Sequence, residues 1–170
     1  MQATHDSTTF EKKKFPIVLI LDGISSPANM GSLFRLADAF GIEKLIFCEN
    51  PVDLKSNRLK RTARATIKNV LFEERENSQA VCMELKLEGY KILALEVASG
   101  SIPVQEMHFQ NQDKVALVLG NESRGVKKEI LEMADDLLHI EMFGDNSSMN
   151  VTHAGAIALF EITKRLQPVR

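Results

Sequence analysis

The sequence LLHIEMFGDNSSMNVTHAGAIALFEITKRL, residues 137–166, has the pattern of a strand, a polar loop and a long amphipathic helix. Residues 137–142 predict a short strand, and residues 143–149 predict a polar loop. We expect the helix to begin near Asn150, whose side chain is suited to cap it. Small residues in the loop let a backbone lie close against a ligand, so we expect a ligand site here.

Gly155 lies inside that predicted helix, where glycine costs about 1 kcal/mol relative to alanine. We therefore expect another element to pack very close to it. An ordinary strand, loop and helix with one tight contact would have the same pattern. This stretch alone leaves ligand binding and plain packing open.

The size and composition of the chain are those of one globular domain. It has 170 residues, 44% hydrophobic and 26% charged, enough for a substantial core. We divide it into a flexible polar tail at 1–14 and a single domain at 15–170. No apolar run approaches the roughly 18 residues that cross a bilayer, and the first residues lack the apolar core of a secretory signal. We expect a cytoplasmic protein without a membrane partner.

The cysteines and histidines predict neither a disulfide nor a metal site. Cys48 and Cys82 are isolated, and neither belongs to a Cys-x-x-Cys pair. The four histidines lack the spacing of metal ligands. We expect reduced thiols and no metal.

Positive charge is concentrated in residues 55–68, KSNRLKRTARATIK. This segment has six Lys or Arg and no acid, whereas the rest of the chain has 15 basic against 23 acidic residues. One basic surface on an acidic protein is expected where phosphates are bound at one place. The alternative is a solvated helix or loop that happens to be basic.

Strands and helices alternate along the chain. Apolar runs predict strands at 15–21, 45–47, 70–72, 91–95 and 115–119, and helical periodicity predicts helices at 30–40 and 77–87. This order predicts an α/β fold with a mainly parallel sheet flanked by helices. Ligands bind beyond the carboxyl ends of such strands, so the loops after residues 21, 95, 119 and 142 should converge.

The helix at 30–40 follows Asn29, which is a good cap residue. Its apolar stripe contains Leu33, Phe34 and Ala37. Arg35 leaves the helix at the flank of that stripe, so we expect it to lie close to the preceding loop and to reach what that loop binds.

The heptapeptide GNESRGV, residues 120–126, follows the predicted strand at 115–119. Gly120 and Gly125 match the GxxxxG spacing of a phosphate-binding loop, but Val126 stands where the loop requires lysine. The GxGxxG pattern is absent too. The sequence therefore argues against a P-loop hydrolase and against a dinucleotide enzyme.

Three blocks carry a resemblance to a known family: NMGSLFRLADAFG at 29–41, LVLGNESRGV at 117–126 and IEMFGDNSSMNVTHAGAIALFE at 140–161. In this order and at these distances they resemble the three motifs of the SpoU, or TrmH, branch of the SPOUT RNA methyltransferases. The resemblance implies a ribose 2′-O-methyltransferase that uses S-adenosylmethionine. It also implies a parallel α/β sheet with a C-terminal deep trefoil knot, and a homodimer through the first and last helices that shares its active site.

The resemblance implies a set of catalytic positions. The arginine of the first block corresponds to Arg35, with Asn29 as its motif companion. The glutamate of the second block is Glu122, and the serine and asparagine of the third are Ser148 and Asn150.

The same resemblance implies that the cofactor is held mainly by backbone at the ends of strands. The positions concerned are Leu95, Glu96, Gly120, Asn121, Ile140, Met142, Ser148 and Met149. Three residues depart from the usual third block: Glu141 stands for proline, Met149 for leucine, and His153 for a small or apolar residue.

The basic segment is the candidate RNA surface, with Arg58, Lys60, Arg61 and Arg64 as its binding residues. Because only a short tail precedes the first strand, we expect tRNA in preference to rRNA as the substrate. A non-catalytic RNA-binding protein with the same fold, a SPOUT base methyltransferase and a domain that binds another nucleotide remain as alternatives.

The expected chemistry needs few side chains, because methyl transfer to a ribose hydroxyl depends mainly on alignment. The hydroxyl loses a proton and develops negative charge. Arginine is an awkward base since its guanidinium stays protonated. We therefore expect Arg35 to stabilise the oxyanion and hold a substrate phosphate that assists proton removal.

Overall fold

A sheet of seven parallel strands forms the centre of the protein. The structure is a computed structural model, and it describes residues 11–110, 113–145 and 148–169. The strands are β1 (Phe15–Asp22), β2 (Ile42–Cys48), β3 (Phe72–Arg75), β4 (Tyr90–Leu95), β5 (Ile102–Pro103), β6 (Lys114–Gly120) and β7 (Asp136–His139). Their order is β3-β2-β1-β6-β4-β7-β5, and each neighbouring pair is parallel. The predicted α/β fold with a mainly parallel sheet is confirmed.

Helices cover both faces of the sheet. One face carries α1 (Pro27–Ala39), α2 (Asn57–Ala63) and α5 (Val151–Arg165), and the other carries α3 (Ser78–Leu87) and α4 (Lys128–Met133). In β1, Ile17, Leu19 and Leu21 pack on the first side, and Val18 and Ile20 on the second. Burial on both faces explains why the strands have continuous apolar sequences.

Helix α1 begins three residues before the predicted start. Ser26 is its N-cap and accepts a 3.4 Å hydrogen bond from the backbone N–H of Asn29. Pro27 occupies the first helical position, where its fixed φ is favourable and its missing N–H costs nothing. The prediction that Asn29 caps this helix is therefore wrong, and its side chain is available for other contacts.

The C-terminal unit differs from the prediction in its strand and agrees in its helix. Strand β7 ends at His139 rather than at residue 142, and Ile140 and Met142 lie beyond the strand on the wall of a cavity. Helix α5 begins at Val151 with Asn150 as its cap, as expected. The predicted close packing at Gly155 is confirmed, since a Cβ there would lie 3.1 Å from Leu119 Cδ1.

Two further findings concern the predicted tail and membrane association. Residues 1–10 of the tail predicted at 1–14 lie outside the described residues. In the described ranges, no helix has the length and apolar character needed to span a bilayer.

Candidate active site

A cavity of about 830 Å³ lies at the carboxyl edge of the sheet. Its wall is made by the loops after β4, β6 and β7 and by the start of α5. Because β6, β4 and β7 are neighbours in the sheet, their carboxyl ends meet. All eight positions expected to contact the cofactor lie on this wall: Leu95, Glu96, Gly120, Asn121, Ile140, Met142, Ser148 and Met149.

The loop after β6 is held in a closed turn. Asn121 and Gly125 exchange backbone hydrogen bonds of 3.0 and 2.9 Å. The Asn121 carboxamide oxygen accepts from the backbone N–H groups of Ser123 and Arg124, at 2.9 and 3.1 Å. A Cβ at Gly120 would overlap the backbone of Gly125, so glycine is required where β6 enters the turn.

Glu122 is placed by the turn against the loop that follows β1. One carboxylate oxygen accepts from the Ser26 backbone N–H at 3.1 Å and from Asn29 Nδ2 at 3.0 Å. The other accepts from the backbone and hydroxyl of Ser25, at 3.3 and 3.4 Å. Partial burial acts to raise the pKa of Glu122, but these hydrogen bonds outweigh it and lower the pKa. Glu122 is therefore a carboxylate at neutral pH.

Asn150 connects this network to the third block. Its carboxamide oxygen accepts from the backbone N–H and the hydroxyl of Thr152, at 2.9 and 2.6 Å, which caps α5. Its Nδ2 donates to Asn29 Oδ1 at 3.3 Å. Glu122 and Asn150 also line the cavity. The structure thus brings together three of the five predicted catalytic residues.

Glu96 fastens the loop after β4 to the loop after β6. Its two carboxylate oxygens accept from the backbone N–H groups of Val97 and Val126, both at 3.0 Å. A Cβ at Gly125 would overlap this carboxylate. The sequence had suggested only a backbone role for Glu96, so this side-chain contact was missed.

A buried acid supports the base of the same turn. Asp22, at the end of β1, is 1% exposed and accepts from Ser78 Oγ at 2.6 Å and from the Lys127 backbone N–H at 3.0 Å. The Lys127 ammonium lies 3.5 Å from Asp22 and pairs with Glu49 as well. Residues from β1, from α3, from the loop after β2 and from the cap of α4 are therefore tied to the turn that presents Glu122.

Arg35 is placed on the exposed surface of α1, outside the cavity wall. It lies one helical turn after Gly31. At Gly31 α1 packs directly on α2, since a Cβ there would overlap Thr62 and Leu59. Arg35 is therefore on the side of α1 that borders α2.

The four predicted RNA-binding residues are all exposed: Arg58, Lys60, Arg61 and Arg64. The first three belong to α2, and Arg64 caps its C-terminus with a φ of 55°. The structure therefore brings this basic segment next to Arg35 but not onto the cavity wall. Ser148, by contrast, lies on the wall with the cofactor positions.

The third-block departures have separate surroundings. Glu141 accepts a hydrogen bond from Gln105 Nε2, and His153 is exposed on α5. The two serines that hold Glu122 were not identified from sequence. Their position in the loop after β1, which was expected to converge on the site, was the available signal.

The two cysteines of the chain do not line the cavity. Cys48 and Cys82 are free and buried, and burial raises the pKa of each to about 12. A thiol in that state is a poor nucleophile. Among the described residues there is no group of three or more side chains suited to hold a metal.

Fold and cavity are those of an α/β domain that binds a small ligand beyond the carboxyl ends of its strands. The model of the SpoU rRNA Methylase family matches residues 16–160, and the chain belongs to this family. The resemblance seen in the three sequence blocks is confirmed.

Individual relatives differ in substrate. The chain is 30% identical over 145 residues to the 23S rRNA (guanosine(2553)-2′-O)-methyltransferase of Bacillus subtilis, matching 85% of this chain and 57% of the relative. It is similar to the crystal structure of the Aquifex aeolicus TrmH/SpoU tRNA modifying enzyme, with 28% identity, a TM-score of 0.80 and coverage of 91% and 77%.

An AdoMet-bound rRNA methyltransferase from Sinorhizobium meliloti has the same fold, with a TM-score of 0.80, 24% identity and coverage of 91% and 58%. The chain spans 57% to 68% of the length of the first curated relatives that it matches.

Proposed function

We propose that the protein is an S-adenosylmethionine-dependent ribose 2′-O-methyltransferase acting on RNA. The observation that carries this proposal is the network in which Asn29 joins Glu122 to Asn150 beside the cavity. Each of the three residues comes from a different block of the resemblance. Membership of the SpoU family and the named activity of its relatives support the same reaction.

The cavity suits S-adenosylmethionine in size and in chemistry. Its volume of about 830 Å³ is in the range of small-molecule sites. Apolar side chains such as Leu95, Ile140 and Met142 would contact the adenosine, and the carboxylates of Glu96 and Glu122 would favour its cationic groups. When bound, this cofactor supplies an electrophilic methyl group.

In this proposal, Arg35 binds a phosphate of the RNA and stabilises the negative charge that develops on the ribose oxygen. Its guanidinium stays protonated, so it does not act as the base. Proton removal is assisted by the phosphate that Arg35 holds. Glu122, through Asn29, fixes the start of α1, the helix that carries Arg35.

RNA would approach along the basic surface formed by Arg58, Lys60, Arg61 and Arg64. Their exposure and their position next to α1 support a binding surface continuous with Arg35. We propose tRNA as the substrate class, and the likeness to the Aquifex tRNA modifying enzyme supports it. The Bacillus relative makes rRNA the competing substrate.

Because Arg35 lies outside the cavity wall, we propose that it serves the cavity of a second subunit. The subunits would pack through α1 and α5, as the family resemblance implies. Ile157 and Phe160, 39% and 53% exposed on α5, offer apolar surface for this contact.

We propose residues 15–170 as one SPOUT domain whose C-terminal segment is threaded through a deep trefoil knot. Support comes from the three loops that meet around one cavity and from the likeness to the Aquifex structure. Such threading is rare outside a few folds, so the family resemblance is what brings it into consideration.

The test uses methyl-labelled S-adenosylmethionine and bulk tRNA or rRNA from cells in which the gene is deleted. We expect label in RNA, and mass spectrometry of the digested RNA should identify a 2′-O-methyl nucleoside. A base-methylated nucleoside would contradict ribose methylation. Binding of RNA without binding of S-adenosylmethionine would identify a non-catalytic protein instead.

A further inference from the structure

Phe143 has the most exposed large apolar side chain in the part of the chain that the structure describes, at 94%. It follows Met142, which lines the cavity, and it lies in the loop that ends at Ser148 and Met149, also on the wall. Phe143 therefore directly follows a residue of the cavity rim, and its side chain is open to solvent.

The surroundings of Phe143 suit a flat ligand better than a protein surface. Its neighbours Glu141, Gly144 and Asp145 are exposed and polar or small, so Phe143 is the one exposed large apolar side chain of residues 141–145. The exposed apolar residues of α5, such as Phe160, belong to another element. An isolated aromatic ring offers a π-face to any base, whereas a protein interface needs a wider apolar area.

We propose that Phe143 stacks on a base of the RNA substrate, at the acceptor nucleotide or next to it. This inference rests on the proposed methylation of RNA. An acceptor ribose must enter the cavity to meet the methyl group, so its base or the adjacent base lies at the rim. Contacts between the basic surface and phosphates do not recognise bases. Stacking by Phe143 would therefore be a separate contribution to RNA binding.

The first experiment measures methylation kinetics of Phe143 variants with bulk tRNA from gene-deleted cells. Stacking is worth roughly 5- to 160-fold in affinity per base, so Phe143→Ala should raise KM for RNA about 10-fold without a matching fall in kcat. Phe143→Tyr should restore KM, whereas Phe143→Leu should behave like alanine. An unchanged KM for Phe143→Ala, or full function of Phe143→Leu, would overturn the proposal.

The second experiment reads stacking directly. The chain has no tryptophan, so Phe143→Trp introduces a single tryptophan next to the cavity wall. Adding the same tRNA should quench its emission. The matched control is Leu87→Trp, at a position that is 90% exposed on α3, away from the cavity wall, and its emission should not change. Equal quenching at both positions, or none at residue 143, would refute stacking.

Two outcomes separate this inference from the function on which it rests. If the wild-type protein methylates RNA while Phe143→Ala keeps its KM, the inference alone fails. If the wild-type protein neither methylates nor binds RNA, the proposed function fails and stacking fails with it. Dissociation of a dimer by Phe143→Ala, measured by sedimentation, would identify a subunit contact and overturn stacking.

Discussion

Asn29 Nδ2 donates a 3.0 Å hydrogen bond to Glu122 Oε1, across 93 residues of sequence. The oxygen of the same amide accepts from Asn150, 121 residues away. A carboxamide has both donors and an acceptor, so asparagine can join a carboxylate to a second amide. This explains in physical terms why three separated sequence blocks act as one site.

Glu122→Gln should weaken this network. Both Glu122 oxygens accept from donors, among them the Ser26 N–H and Asn29 Nδ2, and a glutamine NH₂ cannot accept. We expect a loss of about 1 kcal/mol in urea unfolding and at least a 10-fold fall in methylation. The control is Glu132→Gln, which removes an exposed ion pair with Lys128 on α4 and should change neither stability nor methylation. Normal activity of Glu122→Gln would argue against the network.

The contribution of Glu122 should depend on pH. Its pKa is lowered in the folded protein, so the stabilisation is complete above its usual value near 4.5 and is lost as pH falls through the folded value. The stability difference between wild type and Glu122→Gln should therefore be constant above about pH 5.5 and shrink in acid. Urea titrations across this range measure it. A difference that grows in acid would contradict the assignment.

Much of the fold could be predicted because its strands are buried on both faces. β1 and β6 have continuous apolar sequences, and α5 has a capping residue at its predicted start. The short elements could not be predicted, since β5 has two residues and α4 has six, too few for a periodic pattern. Boundary errors came from local chemistry, as where Ser26 and Pro27 start α1 before Asn29.

The site was predictable only in part for a similar reason. The loop after residue 119 was expected to converge on the site, so Gly120 was within reach of sequence reasoning, whereas Ile140 came only from the family resemblance. The side-chain role of Glu96 depends on a contact with Val126, 30 residues away, which no local pattern encodes. Arg35 is exposed on α1, and sequence periodicity says nothing about which cavity it serves.

Gly120→Ala should damage the cavity although it adds one methyl group. The new Cβ would overlap the backbone of Gly125, which cannot move without opening the turn that carries Glu122. We expect a loss of about 1–3 kcal/mol in stability and at least a 10-fold weaker binding of S-adenosylmethionine, measured by calorimetry. Gly144→Ala is the matched control, because its Cβ would meet nothing within 4 Å. Equal affinity in both variants would refute the argument.

Arg61→Ala should weaken RNA binding through phosphate contacts alone. The loss should be similar for different RNA sequences, and the slope of log K against log salt should fall by about 1. Filter binding with bulk tRNA at several salt concentrations measures both. Lys128→Ala, an exposed lysine on α4, is the control and should leave the slope unchanged. An unchanged slope for Arg61→Ala would remove this residue from the RNA surface.

Arg35 allows the shared active site to be tested by mixing subunits. Arg35→Ala should abolish methylation without changing stability, because the side chain is exposed, and Arg35→Lys should restore little since lysine lacks the planar fork.

Asn150→Ala should impair the cavity of its own subunit. When the two variants are refolded together, mixed dimers form. In a mixed dimer the Arg35→Ala subunit keeps its own Asn150, and its cavity receives an intact Arg35 from the partner subunit. We therefore expect activity to reappear in the mixture, although each variant alone is inactive. If the mixture stays inactive while native mass spectrometry shows mixed dimers, Arg35 serves the cavity of its own chain, and α1 must then move to bring the guanidinium to the wall.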